Sequence, residues 1–522
     1  MQSPCGRYVM VFNGEIYNFL ELRHELKSAH HFTSGTDTEV LLAAWEMWGE
    51  LMLHRLVGMF AFVIWDRREK VLFAARDRFG VKPLYFGRDA EGNLVFGSEI
   101  KALHAAGVPK NVDMATWAQY FRNGFYGDNV HTFWEGVHAL PGGCLMRMRA
   151  DGVLEEEGWY DLSKQVLKKG VDTRSAMEVL TDLDACLQES IRLRFRADVP
   201  VGICMSGGLD SSVLLSIVGD MPTQRERVQA FTACTGDIKY DEHFWVDLML
   251  HHTPGVAGNH CLLQAAEVPA LARRVQAVQD EPFSGIPNLC MAKVYERARA
   301  QGVIVLLDGN GVDEAWAGYD YYQKAVDLRL DRGPVQGVTT SQPDPDYLCP
   351  DFAASARVLS LPRPYRDPLM DLQHRDLTLA KIPRALRFCD RLSMMYAVEL
   401  REPFLDHRIV ELGMRQPVDH KILNGQGKWL VRRYAAGRLA PELSYAPKRA
   451  VQTPQREWLQ GPLADWAESM IELGLEAFGG SWLDAGKVRE QWKAYRAYGA
   501  ENSFPIWQWV NLGLMVDVKG LT

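Results

Sequence analysis

The sequence has no apolar run long enough to cross a bilayer: its longest stretches, such as Met59 to Trp65, are roughly a third of the length required. The N-terminus carries neither the apolar core of a signal peptide nor a twin-Arg pair. No C-x-x-C pair occurs, which removes a zinc ribbon and a thioredoxin-type redox motif. The nine cysteines are odd in number and irregular in spacing, the pattern of a reducing cytoplasm in which most are small core hydrophobes. Positive charge is not in excess. The 58 Lys and Arg against 66 Asp and Glu give a net −8, which argues against broad binding to nucleic acid or an anionic membrane. It leaves room for a local basic pocket for phosphate. No internal repeat is found.

What is present fits an ordinary soluble enzyme of 522 residues, with 47% apolar and 24% charged residues. That length predicts two to four domains. Residues 8 to about 104 read as mixed α and β, with hairpins around Arg68-Glu69-Lys70 and short strands continuing to 162. Ser3-Pro4-Cys5-Gly6 is turn chemistry leading into the strand Tyr8 to Phe12, which implies a preceding strand to pair with. A polar stretch at 163–172 and a long amphipathic helix from Ser175 to Ala197 put a domain boundary at 160–175. Beyond it strands and helices alternate, predicting a doubly wound parallel sheet with a helical C-terminal part. Residues 333–365, rich in Pro, Asp and Ser, predict a surface loop or partly disordered insert.

The sharpest local signal is a buried strand, Val199 to Met205, running into Ser206-Gly207-Gly208-Leu209-Asp210-Ser211-Ser212 and an apolar helix. A Gly-rich turn at a helix N-terminus presents main-chain N–H groups and a favourable dipole to an anion. Asp210 puts a carboxylate where a Mg²⁺ bridging phosphates needs one. A Walker A loop, a G-x-G-x-x-G fingerprint and a G-x-S-x-G elbow are all absent here. A second acidic loop, Asp308-Gly309-Asn310-Gly311-Val312-Asp313-Glu314, follows the strand Val303 to Leu307. It does not fit an EF-hand, because Asp313 stands where Gly is required. An N-cap role for its acids is compatible with metal binding.

Ser206–Ser212 resembles the PP-loop of ATP pyrophosphatases. Together with Asn13-Gly14-Glu15-Ile16-Tyr17-Asn18, the run Ala75 to Tyr85, Ser98 to Leu103 and Pro403-Phe404-Leu405-Asp406, the chain resembles the glutamine-hydrolysing asparagine synthetase family over nearly its whole length. The resemblance implies an N-terminal-nucleophile αββα sandwich over 1–162, a class II glutamine amidotransferase domain without its first segment. A PP-loop synthetase domain over 175–522 follows. The implied reaction adenylates the aspartate side-chain carboxylate with ATP and Mg²⁺, after which ammonia derived from glutamine displaces AMP.

Carried over residue by residue, Met205, Ser206, Gly207, Gly208, Asp210, Ser211, Ser212, Ala233, Asp308 and Gly309 bind ATP, and Asp210 and Asp313 hold the metal. Asn310 and Lys448 stand at catalytic positions, Lys448 to neutralise the leaving pyrophosphate. Asn310 departs from the Glu of the best-known members: a carboxylate takes a proton from attacking ammonia, whereas an amide only orients the acyl-adenylate. Ala450-Val451, in place of Gly-Phe, is a second departure. Lys428 matches another lysine of the family or is a solvated helix charge. Asp390-Arg391 and Glu399-x-Arg401 read as buried ion pairs holding helices.

In the other domain Asn13 and Gly14 match an oxyanion hole, and Glu15 and Asp37 contact glutamine, although Thr36 or Asp37 also reads as a helix N-cap. The family's nucleophilic first-residue Cys has no counterpart. Cys5 has no free amine, and Met1 matches the family's interior, as expected of a start placed late or a broken gene. The implied partners are small molecules, with no nucleic acid or membrane; a homodimer is one assembly allowed. Alternative readings are amidation of another carboxylate such as a polysaccharide sugar acid, β-lactam closure, or a non-catalytic remnant with a poorly folding first half. A tRNA-modifying PP-loop enzyme fits the charge least.

The resulting expectation is that this chain uses ammonium and not glutamine. AMP formation assayed with each donor tests it; glutamine-dependent AMP release coupled to glutamate would overturn it.

Overall fold

The computed structural model describes residues 1–149, 151–221, 228–328, 345–357, 361–446, 452–500 and 502–521. The strands of the first half are β1 (Tyr8–Ile16), β2 (Gly58–Asp66), β3 (Val71–Arg76), β4 (Tyr85–Arg88), β5 (Leu94–Gly97), β6 (His138–Ala139), β7 (Cys144–Met148) and β8 (Leu154–Gly158). β2 is apolar at nearly every position because both its faces are covered. Phe60, Phe62 and Ile64 join a core with the helices Phe19–Leu26 and Asp37–Trp48, while Ala61 and Val63 join another with Leu84, Phe86 and Leu140. Alternation along one strand therefore feeds two cores.

The result is an antiparallel sheet β1-β2-β3-β7-β8 between helices and a second sheet, β5-β4-β6. Ile100–Ala105 packs on the outer face of that second sheet, completing αββα layering. The strand expected to precede Tyr8 takes the form of the first residues themselves. Gln2 bridges Val9, and Met1 and Met10 exchange main-chain hydrogen bonds of 2.7 and 2.8 Å.

The polar stretch 163–172 at the expected boundary overlaps the helix Leu162–Lys169, whose first turn is capped by Asp161 and whose Val166 is buried. The long helix that follows runs Ala176–Arg194 behind a capping box of Ser175 and Glu178. The second half is built on β9 (Val201–Cys204), β10 (Gln229–Cys234), β11 (Ala257–Leu262), β12 (Val305–Leu307) and β13 (Glu399–Arg401), all parallel, in the order β11-β10-β9-β12-β13. The strand order reverses between β9 and β12, the point where open α/β sheets bind ligands. C-terminal helices Ala464–Phe478 and Phe504–Lys519 pack together, burying Trp507 and Trp509.

The expected loop at 333–365 differs in its described part. Residues 345–357 carry the helix Pro350–Ala354, and Tyr347, Leu348 and Phe352 are buried, with Phe352 stacked on Trp482 at 4.8 Å. Composition read Pro and Asp as loop, but Pro350 occupies the first turn of that helix, where it costs nothing.

The two halves are pinned by buried polar contacts. Arg391 donates to Tyr85 Oη at 2.7 Å and to Glu281 at 2.9 Å, and Lys82 meets Asp390 at 3.1 Å. Lys421 is a different case: a buried ammonium bonded only to neutral acceptors, Gln373 Oε1 and the Met414 carbonyl, both at 2.9 Å. Burial pushes its pKa down to about 7, with Asp367 acting weakly against the shift. The folded state therefore releases this proton near pH 7, whereas the unfolded chain holds it to 10.5. Between those values the unfolded state binds more protons, and the group makes stability rise with pH. Lys421→Met is expected to lack that rise. Urea titrations from pH 7 to 10 should show the wild type gaining on the variant by up to about 1.4 kcal/mol per pH unit; parallel curves would refute it.

Candidate active site

The loop after β9 turns tightly because Gly207 takes φ +62° and has no room for a Cβ, which would meet Trp245 and Glu242. Gly208 then caps the helix Leu209–Gly219 without any side-chain bond to the first turn. A helix N-terminus with no side-chain cap is an arrangement that can bind anions. The serines fold the loop on itself: Ser206 Oγ accepts from Gly208 N, and Ser211 Oγ accepts from Ser206 N and donates to the Gly208 carbonyl, at 3.2–3.4 Å. Ser212 Oγ is buried with no protein partner, as is Thr232 Oγ1, one residue past the β9–β10 pair Cys204–Phe231. Ala233 follows on β10. Met205 packs its side chain into the core and gives its N–H to the Phe231 carbonyl, so its side chain does not face the loop.

The loop after β12 comes alongside. Gly309 lies against Asp210, with ordinary contact distance for a Cβ. Asp313 sits in the turn Val312–Ala315, entered through Gly311 at φ +110°, where a Cβ would strike Leu405. Between the two carboxylates stands Lys428. Its ammonium is 2.6 and 2.8 Å from the Asp210 oxygens and 2.7 Å from Asp313 Oδ1. Lys428 is 6% exposed, which excludes a solvated helix charge. Burial opposes its charge, but Asp210 and Asp313 outweigh that and raise its pKa.

Backbone geometry enforces this contact. Lys428 holds φ +58°, a strained value for a side-chain-bearing residue, and donates its N–H to the Trp316 carbonyl at 3.1 Å. A Cβ on Gly318 would overlap both Asp313 and Lys428, and one on Gly427 would overlap the Ala317 carbonyl. Among the described residues no group of three or more metal-ligating side chains converges. Two carboxylates meeting one cation do fit Mg²⁺, which takes one or two carboxylates and completes its shell from phosphates and water.

Deeper in the site, Asn310 Nδ2 donates to Asp308 Oδ2 at 3.1 Å and to Glu402 Oε1 at 3.3 Å. Asp308 also takes the Gly309 N–H at 2.6 Å, and burial raises its pKa. Glu402 is 2% exposed and its Oε2 has no protein partner. Burial and then repulsion from Asp308 push its pKa well up. Glu402 also lines a small cavity between the halves with Tyr17, Asp77, Arg194 and His407. Sequence reading missed it, although it stands between Arg401 and the Pro403–Asp406 motif. Glu314 was missed as well. It takes a 2.6 Å bond from Tyr319 Oη, and burial and then Asp313 raise it to about 7. Lys448, with Ala450 and Val451, lies outside the described residues.

The second group of residues gathers at the C-terminal end of β1. Gly14 has φ +150°, and a Cβ there would overlap the Met59 carbonyl of β2. Asn13 Nδ2 donates to Ser98 Oγ at 3.1 Å. Thr36 is the helix N-cap, which frees Asp37 to accept the Ile16 N–H at 2.9 Å, beside Glu15. Burial and then repulsion from Glu399 raise Glu15 to about 7, against the pull of Arg401 at 3.5 Å. Cys5 lies before the other end of β1, its thiol near Ser3 and Glu46. The Glu399–Arg401 pair, at 2.7 Å, thus touches this site as well as bracing the sheet edge.

Residues 182–518 match the family model described as asparagine synthase, and residues 1–160 match that of a glutamine amidotransferase domain. A Mycobacterium tuberculosis protein assigned to the asparagine synthetases (glutamine-hydrolyzing) is 28% identical over 569 residues, covering 96% of this chain and 83% of that protein. Asparagine synthetase (glutamine-hydrolyzing) 1 of Bacillus subtilis is 25% identical, covering 96% of this chain and 84% of its own. Amidase chyE of Penicillium rubens is 27% identical, covering 98% and 87%.

If Lys428 balances Asp210 and Asp313, Lys428→Met leaves two carboxylates facing each other. The variant is expected to lose about 3 kcal/mol in denaturant unfolding and to recover more stability than the wild type when Mg²⁺ is added. Equal Mg²⁺ responses would show that the two carboxylates do not form a cation site.

Proposed function

The chain belongs to the asparagine synthase family, and from that premise we propose that it is an ATP-dependent amide ligase. ATP is cleaved to AMP and pyrophosphate as a carboxylate acceptor is adenylated, and a nitrogen nucleophile then displaces AMP. The observation that carries this reading is the meeting of the loops after β9 and β12 around Lys428, at the point where the strand order reverses.

In this reading the turn 206–208 and the uncapped first turn of the helix behind it receive the pyrophosphate portion of ATP. Ser212 and Thr232 hydroxyls, without protein partners, are available to it. Asp210 and Asp313 would hold Mg²⁺, whose chemistry is to neutralise charge on the leaving pyrophosphate. Lys428 keeps the two carboxylates converged, and its ammonium adds positive charge beside the same phosphates. Asn310 fixes the angle of Asp308 and Glu402. Glu402, with one oxygen uncommitted and a raised pKa, is the group we assign to receive the proton that the attacking nitrogen sheds.

Aspartate is the first-choice acceptor, and glutamine or ammonia the nitrogen source. Asn13, Gly14, Glu15 and Asp37 are assigned to glutamine in that scheme. A second reading, amidation of another carboxylate such as a sugar acid, draws support from Asn310: its amide donors are engaged by Asp308 and Glu402 and not turned to an acceptor. Pyrophosphate release measured with aspartate against uronic acids separates the two, robust aspartate turnover excluding the second. Glu402→Gln is expected to retain acceptor-dependent exchange of pyrophosphate into ATP while amide formation falls roughly a hundredfold, the usual scale for a lost proton acceptor. Equal losses in both steps would remove Glu402 from the second step.

A further inference from the structure

Away from the nucleotide loop lies a cavity of about 560 Å³ between the two halves, with walls from residues 76–164 on one side and 362–387 on the other. Its size suits a small-molecule ligand, and no residue of 206–212 or 308–314 lines it. Its polar groups are unbalanced in one direction. The acceptors in the wall are already committed: Asp376 to Arg375 at 2.9 Å and Tyr322 at 2.8 Å, Asp161 to the N–H of Lys164 and the hydroxyl of Ser163, and Glu157 to Arg147 at 2.9 Å.

The donors are not. Arg384 has no ion pair and no hydrogen bond among the described residues; its guanidinium sits 5.9 Å from the Tyr126 ring centre. Arg387 shares Glu281 with Arg391 and leaves a buried Nε without a partner. Arg76 is bonded only to main-chain carbonyls, those of Gly80, Lys82 and Leu140. His374 keeps a buried, unpartnered Nδ1. Burial lowers the pKa of Arg384 by more than Tyr126, Tyr319 and Asp376 raise it. A cation held in this way costs folding stability. Phe79, Tyr126 and Tyr160 supply apolar wall around these donors.

We propose that this junction cavity is a binding site for a small organic anion, a carboxylate or phosphate carried on a compact body, with Arg384 as its principal ligand. Arg384 and Arg387 clamp the acidic group, and the aromatic rings cover the body. Because both halves form the walls, occupancy couples them.

Calorimetry and thermal melting of the full chain with inorganic phosphate, succinate and glucuronate, each alone, test the site. At least one is expected to saturate the wild type and raise its melting temperature. Arg384→Gln should bind that anion at least about tenfold more weakly, the scale of a lost charge-assisted hydrogen bond, and Arg384→Lys should recover part of the loss. Without ligand, Arg384→Gln should melt no lower than the wild type, since it removes an unbalanced charge. Because the cavity lies away from the nucleotide loop, binding there should persist in the presence of ATP. The proposal is overturned if none of the three binds, if wild type and Arg384→Gln bind equally, or if the unliganded variant melts lower.

Discussion

One buried ammonium organises the second half of the protein. Lys428 joins the loop after β9, through Asp210, to the loop after β12, through Asp313. Without a cation between them the two carboxylates would repel at this separation. The energetic return of such a triad is small, since desolvating three charges consumes most of the Coulomb gain. Its effect is geometric: the switch point of the sheet becomes a cleft with fixed walls. Gly318 and Gly427 are the steric conditions for it, and the left-handed backbone of Lys428 is its strain. In the proposed reaction a polyphosphate with a divalent cation would bring a similar alternation of charge to residues already held in place.

The charge pattern continues inward and across the domain junction. Behind the Lys428 triad, Asp308 and Glu402 face each other with only the Asn310 amide between them. An amide donates to both without neutralising either, so the pair retains its mutual repulsion and Glu402 remains basic. On the far side, Arg401 spans Glu399, Glu15 and the main-chain carbonyls of Arg194 and Arg196. Glu15 on β1 is therefore in contact with the sheet edge that carries Glu402, one residue beyond Arg401. The two candidate sites are tied through a few charged residues and not through a flexible linker.

Much of this was legible because it is local. The strand, Gly-rich turn and helix at 199–218 follow from periodicity and two glycines, and the helix from Ser175 follows from its amphipathic spacing. Lys428 was ambiguous because its neighbours in sequence, Trp429 to Arg432, form an ordinary helix start. What buries it is the chain at 316–318, more than a hundred residues earlier. Glu402 was invisible for a similar reason: its partner Asn310 lies 92 residues away. Residues 345–357 were misread because composition reports local preference, whereas Tyr347 and Phe352 are held by Trp509 and Trp482 from the C-terminal helices and their connection. Lys381, Arg384 and Arg387, three residues apart on one helix, were the readable trace of the junction cavity, but that Arg384 meets no carboxylate there is a tertiary fact.

The net charge of −8 conceals this separation. A mildly acidic chain left room for a basic pocket, and the phosphate loop was the natural place to expect it. The loop after β9 shares instead one lysine with the loop after β12, between two carboxylates, and in the proposed reaction its main-chain N–H groups would meet the phosphates. The uncompensated guanidinium lies elsewhere, in the cavity where the halves meet. Backbone donors and a metal suffice for a polyphosphate, which carries its own counter-ion. A small organic acid brings none, and a guanidinium with no carboxylate of its own is the complement it requires.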